Sequence, residues 1–298
     1  MISFFATLVA LAATPQPMFE VSPAHRLLEG VASDGRVVWV SSVIDRTVLE
    51  CRATCRTLAK LPPGLYPLGM AWDSSRQRLW IAADCPPFPN FAKCDRGALV
   101  ALDRRGRLTD RLVPLGANFH SGDVSADRGN VFVGDAFTGA IYWLKPGQRR
   151  LTTLVPPGIG KSAQGSALDR SGSTLIAADY GQGVAAIELA TGKRTVLTQT
   201  DGTTLRGIDG LVRCGNGYVG VFNGAEPNRL LSITVSGARI DVDTIYSGPE
   251  ARAPTQVAVA RGGLVVAADA SWEKALKSDQ PPHGRYPIRA LPFPGCTR

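Results

Sequence analysis

The sequence predicts an all-β fold, a six-bladed β-propeller with four-stranded blades around a central channel. Three observations predict it. A strand–turn–strand pattern recurs six times, and its copies start roughly 40 to 55 residues apart. Glycine and proline, 32 and 21 residues, are spread along the whole chain, as many short strands joined by turns require.

The copies read directly from the chain. They are EGVASDGRVVWVSS from Glu29, LGMAWDSSRQRLWIAAD from Leu68, GDVSADRGNVFVGD from Gly122, QGSALDRSGSTLIAAD from Gln164, DGLVRCGNGYVGVFN from Asp209 and TQVAVARGGLVVAAD from Thr255. VWV, LWIAA, VFV, TLIAA, YVGVF and LVVAA are short, apolar and strand-like. The DG, DRG, DRSG and GNG segments supply turns between the first two strands. GAIYWLKPG and VAAIELATGKRTVL add third and fourth strands. One such blade cannot bury both its faces alone, so neighbours pack around an axis. To close the ring, either residues 18 to 28 or residues 285 to 296 complete a terminal blade with a strand from the other end.

Composition agrees with a single large domain. Of 298 residues, 44% are hydrophobic and 19% charged, which supports a sizeable core and excludes extensive disorder. The net charge of +8 comes from scattered basic residues such as Arg104-Arg105 and Arg149-Arg150. It reads as a solvated basic surface open to anionic envelope or polysaccharide; no nucleic-acid motif accompanies it.

The first residues, MISFFATLVALAA, form an apolar run of signal-peptide length, with Ala10-Leu11-Ala12 as a small-residue cleavage site. Residues 1–17 are assigned to this leader and a short linker, and 18–298 to the propeller. No Lys or Arg precedes the run, and the alternative is a buried N-terminal strand. The run is too short to span a bilayer as a helix, and no other stretch approaches that length. The expectation is an exported monomer, periplasmic or secreted, with no membrane span.

Six cysteines support export. Cys51 with Cys55 and Cys85 with Cys94 are close enough for local disulfides. Cys214 and Cys296 are left to pair if the C-terminus returns to the late blades. Zinc held by cysteine is the competing reading, weakened by the lack of any CxxC and by scarce histidine.

In a propeller the start of each innermost strand faces the channel. The six residues there are Glu29, Leu68, Gly122, Gln164, Asp209 and Thr255. Two carboxylates converging on a narrow tunnel repel unless a cation or proton joins them. The alternatives are pairing with an arginine such as Arg206, or solvation in a wet channel. His120, two residues before Gly122, is a candidate acid, base or substrate contact, or a loop histidine bonded to backbone. Asp123 is a candidate proton acceptor, a structural turn carboxylate or a partner of a ligand. Arg206, Asn223 and Gln256 are candidate substrate contacts, although Asn223 and Gln256 could equally satisfy strand ends. Asp84, Asp135, Asp179 and Asp269 recur at strand ends, which points to architecture. Gly158-Ile159-Gly160-Lys161-Ser162 lacks the first glycine and the βαβ context of a nucleotide-binding loop. There is no GxSxG, HExxH or CxxCH.

The repeats resemble the family of gluconolactonase, senescence marker protein and luciferin-regenerating enzyme. Leu28-Glu29-Gly30 is similar to its EGP segment, NVFVGDAFTGAIYWL to its blade ending, Ile208-Asp209-Gly210-Leu211 to its PDG segment, and Pro254-Thr255-Gln256-Val257 to the start of its last blade. The resemblance implies a divalent cation in the channel, calcium first and magnesium or zinc next, held by Glu29, Asp209 and Gln164. Gln164 stands where the family has Asn, and Gly122-Asp123 where it often has Asn-Asp. It further implies cleavage of a lactone or small ester, with Asp209, His120 and Asp123 as the catalytic candidates. The second function class is a noncatalytic propeller that binds a small molecule, sugar or envelope protein; Leu68 and Gly122 in the ring favour it.

Overall fold

The computed structural model describes residues 13–86, 96–116, 118–270, 272 and 284–296. The cleavage site and Cys94 lie outside these residues. The described chain forms six four-stranded antiparallel sheets arranged as a propeller.

The N-terminal strand β1 (Gln16–Phe19) stands apart from blade one. That blade holds β2 (Leu28–Ser33), β3 (Val38–Ser42), β4 (Thr47–Cys51) and β5 (Cys55–Lys60). Blade two holds β6 (Tyr66–Asp73), β7 (Arg78–Asp84), β8 (Ala98–Leu102) and β9 (Leu108–Leu112). Blade three holds β10 (Ser121–Asp127), β11 (Asn130–Asp135), β12 (Ile141–Leu144) and β13 (Thr152–Val155). Blade four holds β14 (Ala163–Leu168), β15 (Thr174–Asp179), β16 (Gly183–Glu188) and β17 (Arg194–Val196). Blade five holds β18 (Ile208–Cys214), β19 (Gly217–Phe222), β20 (Arg229–Ser236) and β21 (Arg239–Tyr246). Blade six is composite: β22 (Val257–Ala260), β23 (Gly263–Ala267) and β24 (Ile288–Pro292) are completed at the outer edge by β1. Both ends of the chain therefore close the ring. Gln16 and Pro17, which the sequence reading placed in the linker, belong to the closing strand.

The strand–turn units form for local reasons. In the turn after each of three innermost strands an aspartate accepts backbone N–H groups: Asp34 from Arg36 and Val37, Asp73 from Ser75 and Arg76, Asp169 from Gly172, Ser173 and Thr174. Such Asx turns fix the hairpin without using side chains needed elsewhere. At the opposite end, Asp135 accepts from Phe137 N and Thr138 N, and Asp179 from Lys161 N, Gly181 N and Gln182 N. These two recurrent strand-end aspartates are architectural.

Blade faces pack against each other through alternate side chains. Between blades one and two, Trp39 stacks on Trp72 with ring centroids 4.8 Å apart, surrounded by Ala32, Met70, Leu79, Ile81 and Val100. Burying each such large side chain is worth about 1.5–3 kcal/mol. Arginines tie neighbouring blades at the turn end. Arg76 donates to Gly129 O and Lys145 O, Arg128 to Arg170 O, and Arg170 to Asn216 Oδ1. Cys51 is bonded to Cys55 and Cys214 to Cys296, so the two cysteines left over by spacing join blade five to the C-terminal segment.

Candidate active site at the bulged end of the channel

Five innermost strands share one irregularity. The register slips between Leu28 and Val31, Pro67 and Met70, Ser121 and Val124, Ala163 and Ser166, and Ile208 and Leu211. Each slip is a bulge of two residues: Glu29-Gly30, Leu68-Gly69, Gly122-Asp123, Gln164-Gly165 and Asp209-Gly210. In blade six Thr255-Gln256 holds the same place, with Thr255 N and Gln256 O bonded to Ala267. The first residues of these pairs are the six read from the sequence as the ring. A bulge re-aims side chains and is common beside functional sites.

The second residue of each pair presses on the next blade. A Cβ on Gly30 would lie 2.2 Å from Leu68 O, and one on Gly165 2.2 Å from Leu211 N. Glycine is therefore required there. Blade three reverses the order and puts Asp123 in the second place, where a Cβ on Gly69 would lie 1.9 Å from its Oδ1. The sequence reading took Glu29 and Asp209 as the ring's only carboxylates. The structure corrects this: Asp123, only 5% exposed, is a third. Gln256, 6% exposed, hydrogen-bonds to it.

The three acids are electrostatically coupled. Glu29 and Asp209 touch the open channel but are enclosed by protein. Burial pushes the Glu29 carboxyl well above its usual range, the charges of Asp209 and Asp123 add to this, and the Trp272 hydrogen bond opposes it. Burial lifts Asp209 to about 7 against the opposing Asn223 hydrogen bond. Burial also lifts Asp123 to about 7, opposed by the Val124 N–H and Gln256 and reinforced by Asp209. Arg206 does not neutralise them; it is exposed and donates to Thr204 Oγ1 at 3.3 Å.

Amides and rings surround the acids. Asn223 Nδ2 donates to Asp209 Oδ2 and to Pro254 O, both at 2.8 Å, and Tyr180 Oη donates to Asn223 Oδ1 at 3.0 Å. Gln164 Nε2 donates to Ser162 Oγ at 3.0 Å. Its Oε1 lies 3.2 Å from where a Gly122 Cβ would be. Trp272 Nε1 donates to Glu29 Oε2 at 2.7 Å, and Thr255 Oγ1 to Glu29 O at 2.7 Å. His120 sits at the same end. Its ring faces Phe137 at 4.4 Å and Asp84 Oδ2 at 3.4 Å, and Asn118 Nδ2 lies 3.3 Å from its Nε2. Its contacts are thus with blades two and three, not with Glu29 or Asp209. From the turn end, a cavity of about 260 Å³ reaches Asp123 and Gln256 past Ser125 and Ser166.

Trp272 and Tyr180 escaped sequence reasoning. Trp272 lies outside the repeats, and no periodic signal marks it. Tyr180 directly follows strand-end Asp179, a loop position that the repeat alignment could have pointed to.

The donor set suits a hard cation: carboxylates of Glu29 and Asp209 with the amide oxygen of Gln164; Asn223 turns its Nδ2 to Asp209 and its oxygen to Tyr180. Among the described residues no three acidic, histidine or cysteine groups converge closely enough to hold a metal by themselves. The Gln164 amide would have to complete any such site.

No family model matches the chain, and no curated protein matches it by sequence. Among solved structures, regucalcin from Agrobacterium tumefaciens, described as a calcium-binding protein, is similar at 18% identity and a TM-score of 0.66, over 95% of this chain and 97% of that one. A gluconolactonase from Xanthomonas campestris is similar at 16% identity and a TM-score of 0.64, over 96% and 99%. A luciferin-regenerating enzyme is similar at 15% identity and a TM-score of 0.62, over 93% and 94%. The chain thus shares its six-bladed propeller, over nearly its whole length, with gluconolactonase, regucalcin and luciferin-regenerating enzyme.

Proposed function

We propose that the chain is an exported, metal-dependent hydrolase that cleaves a lactone or small ester at the bulged end of its channel. One observation carries the reading. Glu29, Asp209 and Asp123 are enclosed together, each carboxyl is pushed up by burial, and among the described residues no basic side chain neutralises it. Such a cluster is costly unless protons or a cation join it. Glu29, Asp209 and Gln164 would hold the cation, calcium or magnesium by the hardness of the donors, with Asn223 holding the Asp209 carboxylate in place. When bound, it supplies carbonyl polarisation and a lowered pKa for water.

The chain's own residues have separate tasks. Tyr180 Oη and Pro254 O fix the Asn223 amide, so its Nδ2 stays on Asp209. Asp123, at about 7, is half-ionised near neutrality and suited to take a proton from the attacking water. Gln256 holds it in place. His120, backed by Asp84, is the second proton acceptor, nearer blades two and three. Arg206, exposed beside Asp209 in sequence, meets the polar part of a substrate. The two disulfides among the described residues suit an exported protein.

The test is the metal content of purified protein, together with hydrolysis of a lactone and ester panel before and after chelation. Glu29→Gln and Asp209→Asn should each lose the metal and lower kcat/KM at least a hundredfold. Metal-loaded protein that cleaves nothing in the panel would sink the reading. A second reading, a noncatalytic binding propeller, is favoured by Leu68 and Gly122 in the ring and by Trp272 on the Glu29 carboxylate. It predicts ligand binding with neither stoichiometric metal nor turnover.

A further inference from the structure

We propose that the lactone or ester taken at this mouth carries an apolar substituent, an acyl chain or aryl group, which lies across Phe137, Ile159 and Tyr180. The inference rests on the hydrolase reading and names its substrate class.

Five large hydrophobic residues are exposed among those described: Leu108, Leu115, Phe137, Ile159 and Tyr180, at 44%, 102%, 55%, 53% and 37%. All but Leu108 lie on loops of the bulged end. Phe137, Ile159 and Tyr180 come from adjoining loops of blades three and four, and these loops interlock. Gly158 N donates to Thr138 O at 2.9 Å, and Tyr180 N to Ser162 O at 2.9 Å. Gly139 lies so close to Gly160 that an added Cβ would meet its carbonyl carbon at 2.2 Å. The apolar side chains thus stand on one fixed wall rather than on independent loops.

That wall is continuous with the acids. Ala136, next to Phe137, covers the Gly122 ring position, 3.1 Å from a Cβ built there. Tyr180 reaches Asp209 through Asn223 in two hydrogen bonds. The Tyr180 phenol is pushed up by burial and by the Asp209 charge, which agrees with that proximity. Across the mouth, Leu68 and Tyr66 are buried with Trp272 packed against their cluster. A polyhydroxylated ring would set its hydroxyls against these faces without partners, a cost an alkyl or aryl group avoids.

The test uses the full chain loaded with calcium or magnesium. kcat/KM is measured on γ-lactones with side chains of increasing length and on a sugar lactone. The expected result is a rise of about three- to fourfold per added methylene over the first few carbons. Phe137→Ser and Ile159→Ser should flatten that slope, with thermal melts confirming that both variants fold. A flat or falling series, or preference for the sugar lactone, overturns the proposal. Binding of linear carboxylates from four to ten carbons is followed in parallel by calorimetry. Affinity that grows with length but without turnover of any lactone sinks the hydrolase reading and keeps the apolar site. Affinity independent of length sinks the apolar site. Retention on neutral phospholipid vesicles that both serine variants abolish, with no chain-length effect, would show a lipid-facing rim and also overturn the proposal.

Discussion

Trp272 Nε1–H donates to Glu29 Oε2 at 2.7 Å, and joins a segment outside the repeats to the first residue of the ring. The bond favours the ionised carboxylate against burial and two neighbouring acids. Trp272→Phe should lower stability by about 0.5–1.5 kcal/mol, as loss of one intramolecular hydrogen bond does. Urea unfolding checks this. In the wild type, a cation bound beside Glu29 should also alter tryptophan emission, and the substitution should remove that change.

Stability of the metal-free protein should fall as pH rises from about 4 to about 7. Asp123 and Asp209 have folded-state values of about 7 against the ordinary 3.8, so the folded state holds protons that the unfolded state has released. Their contribution is complete below the ordinary value and is lost as pH rises through the folded one. Each group contributes a slope of about 1.4 kcal/mol per pH unit in that window. Asp34, Asp73 and Asp169 are held below their usual values, so their opposite effect lies at lower pH. Chemical unfolding in a chelator at half-unit pH steps measures the slope. Asp123→Asn should reduce it by about one group's share, and a flat or rising wild-type curve would refute the coupling.

Gly30→Ala should destabilise by about 2–3 kcal/mol, within the range of overpacked sites. The added methyl would meet Leu68 O, a backbone atom that cannot swing aside, at 2.2 Å. Gly237→Ala is not an equivalent control, because its φ of +59° adds strain of its own. The comparison is with Ser74→Ala, on an exposed turn of blade two. Thermal melts should show a clear loss for the first and almost none for the second.

The two disulfides among the described residues should differ in value. Cys214–Cys296 closes a separation of 82 residues and Cys51–Cys55 one of 4. Loop-closure entropy assigns about 4.5 kcal/mol to the first and about 2 kcal/mol to the second. Cys296→Ser should therefore lower the unfolding midpoint in urea more than Cys55→Ser. Equal losses would mean that closure entropy does not govern the ring.

The blades were legible because strand, turn and strand recur with one chemistry, and the ring was legible because the bulge falls at the same place in each copy. Glu29, Gln164 and Asp209 could be assigned from that register alone. Asp123 and Gln256 are legible as candidate site residues, but not as members of the ring. The second bulge position is glycine in four blades, so the pattern gave no reason to expect side chains there. The reversed order of Gly122-Asp123 was visible, but only the packing of Asp123 against Gly69 gives it meaning. Arg206 looked like a counter-ion because it is near Asp209 in sequence; its backbone position instead sends it to the surface. The roles of Trp272 and Tyr180 depend on contacts between segments that share no repeat.

Blade six has a consequence for the order of events during synthesis. Its outer strand, Gln16–Phe19, is translated before any other blade strand, and its partner, Ile288–Pro292, almost last. The earliest strand must wait, unpaired, while five blades emerge. The ring can shut only once Ile288–Pro292 has been made. Closure is then a single late step between distant ends, the kind of non-local pairing that slows folding. Until that step is taken, the bulges cannot draw Glu29, Asp123 and Asp209 together, so the site exists only in the closed ring.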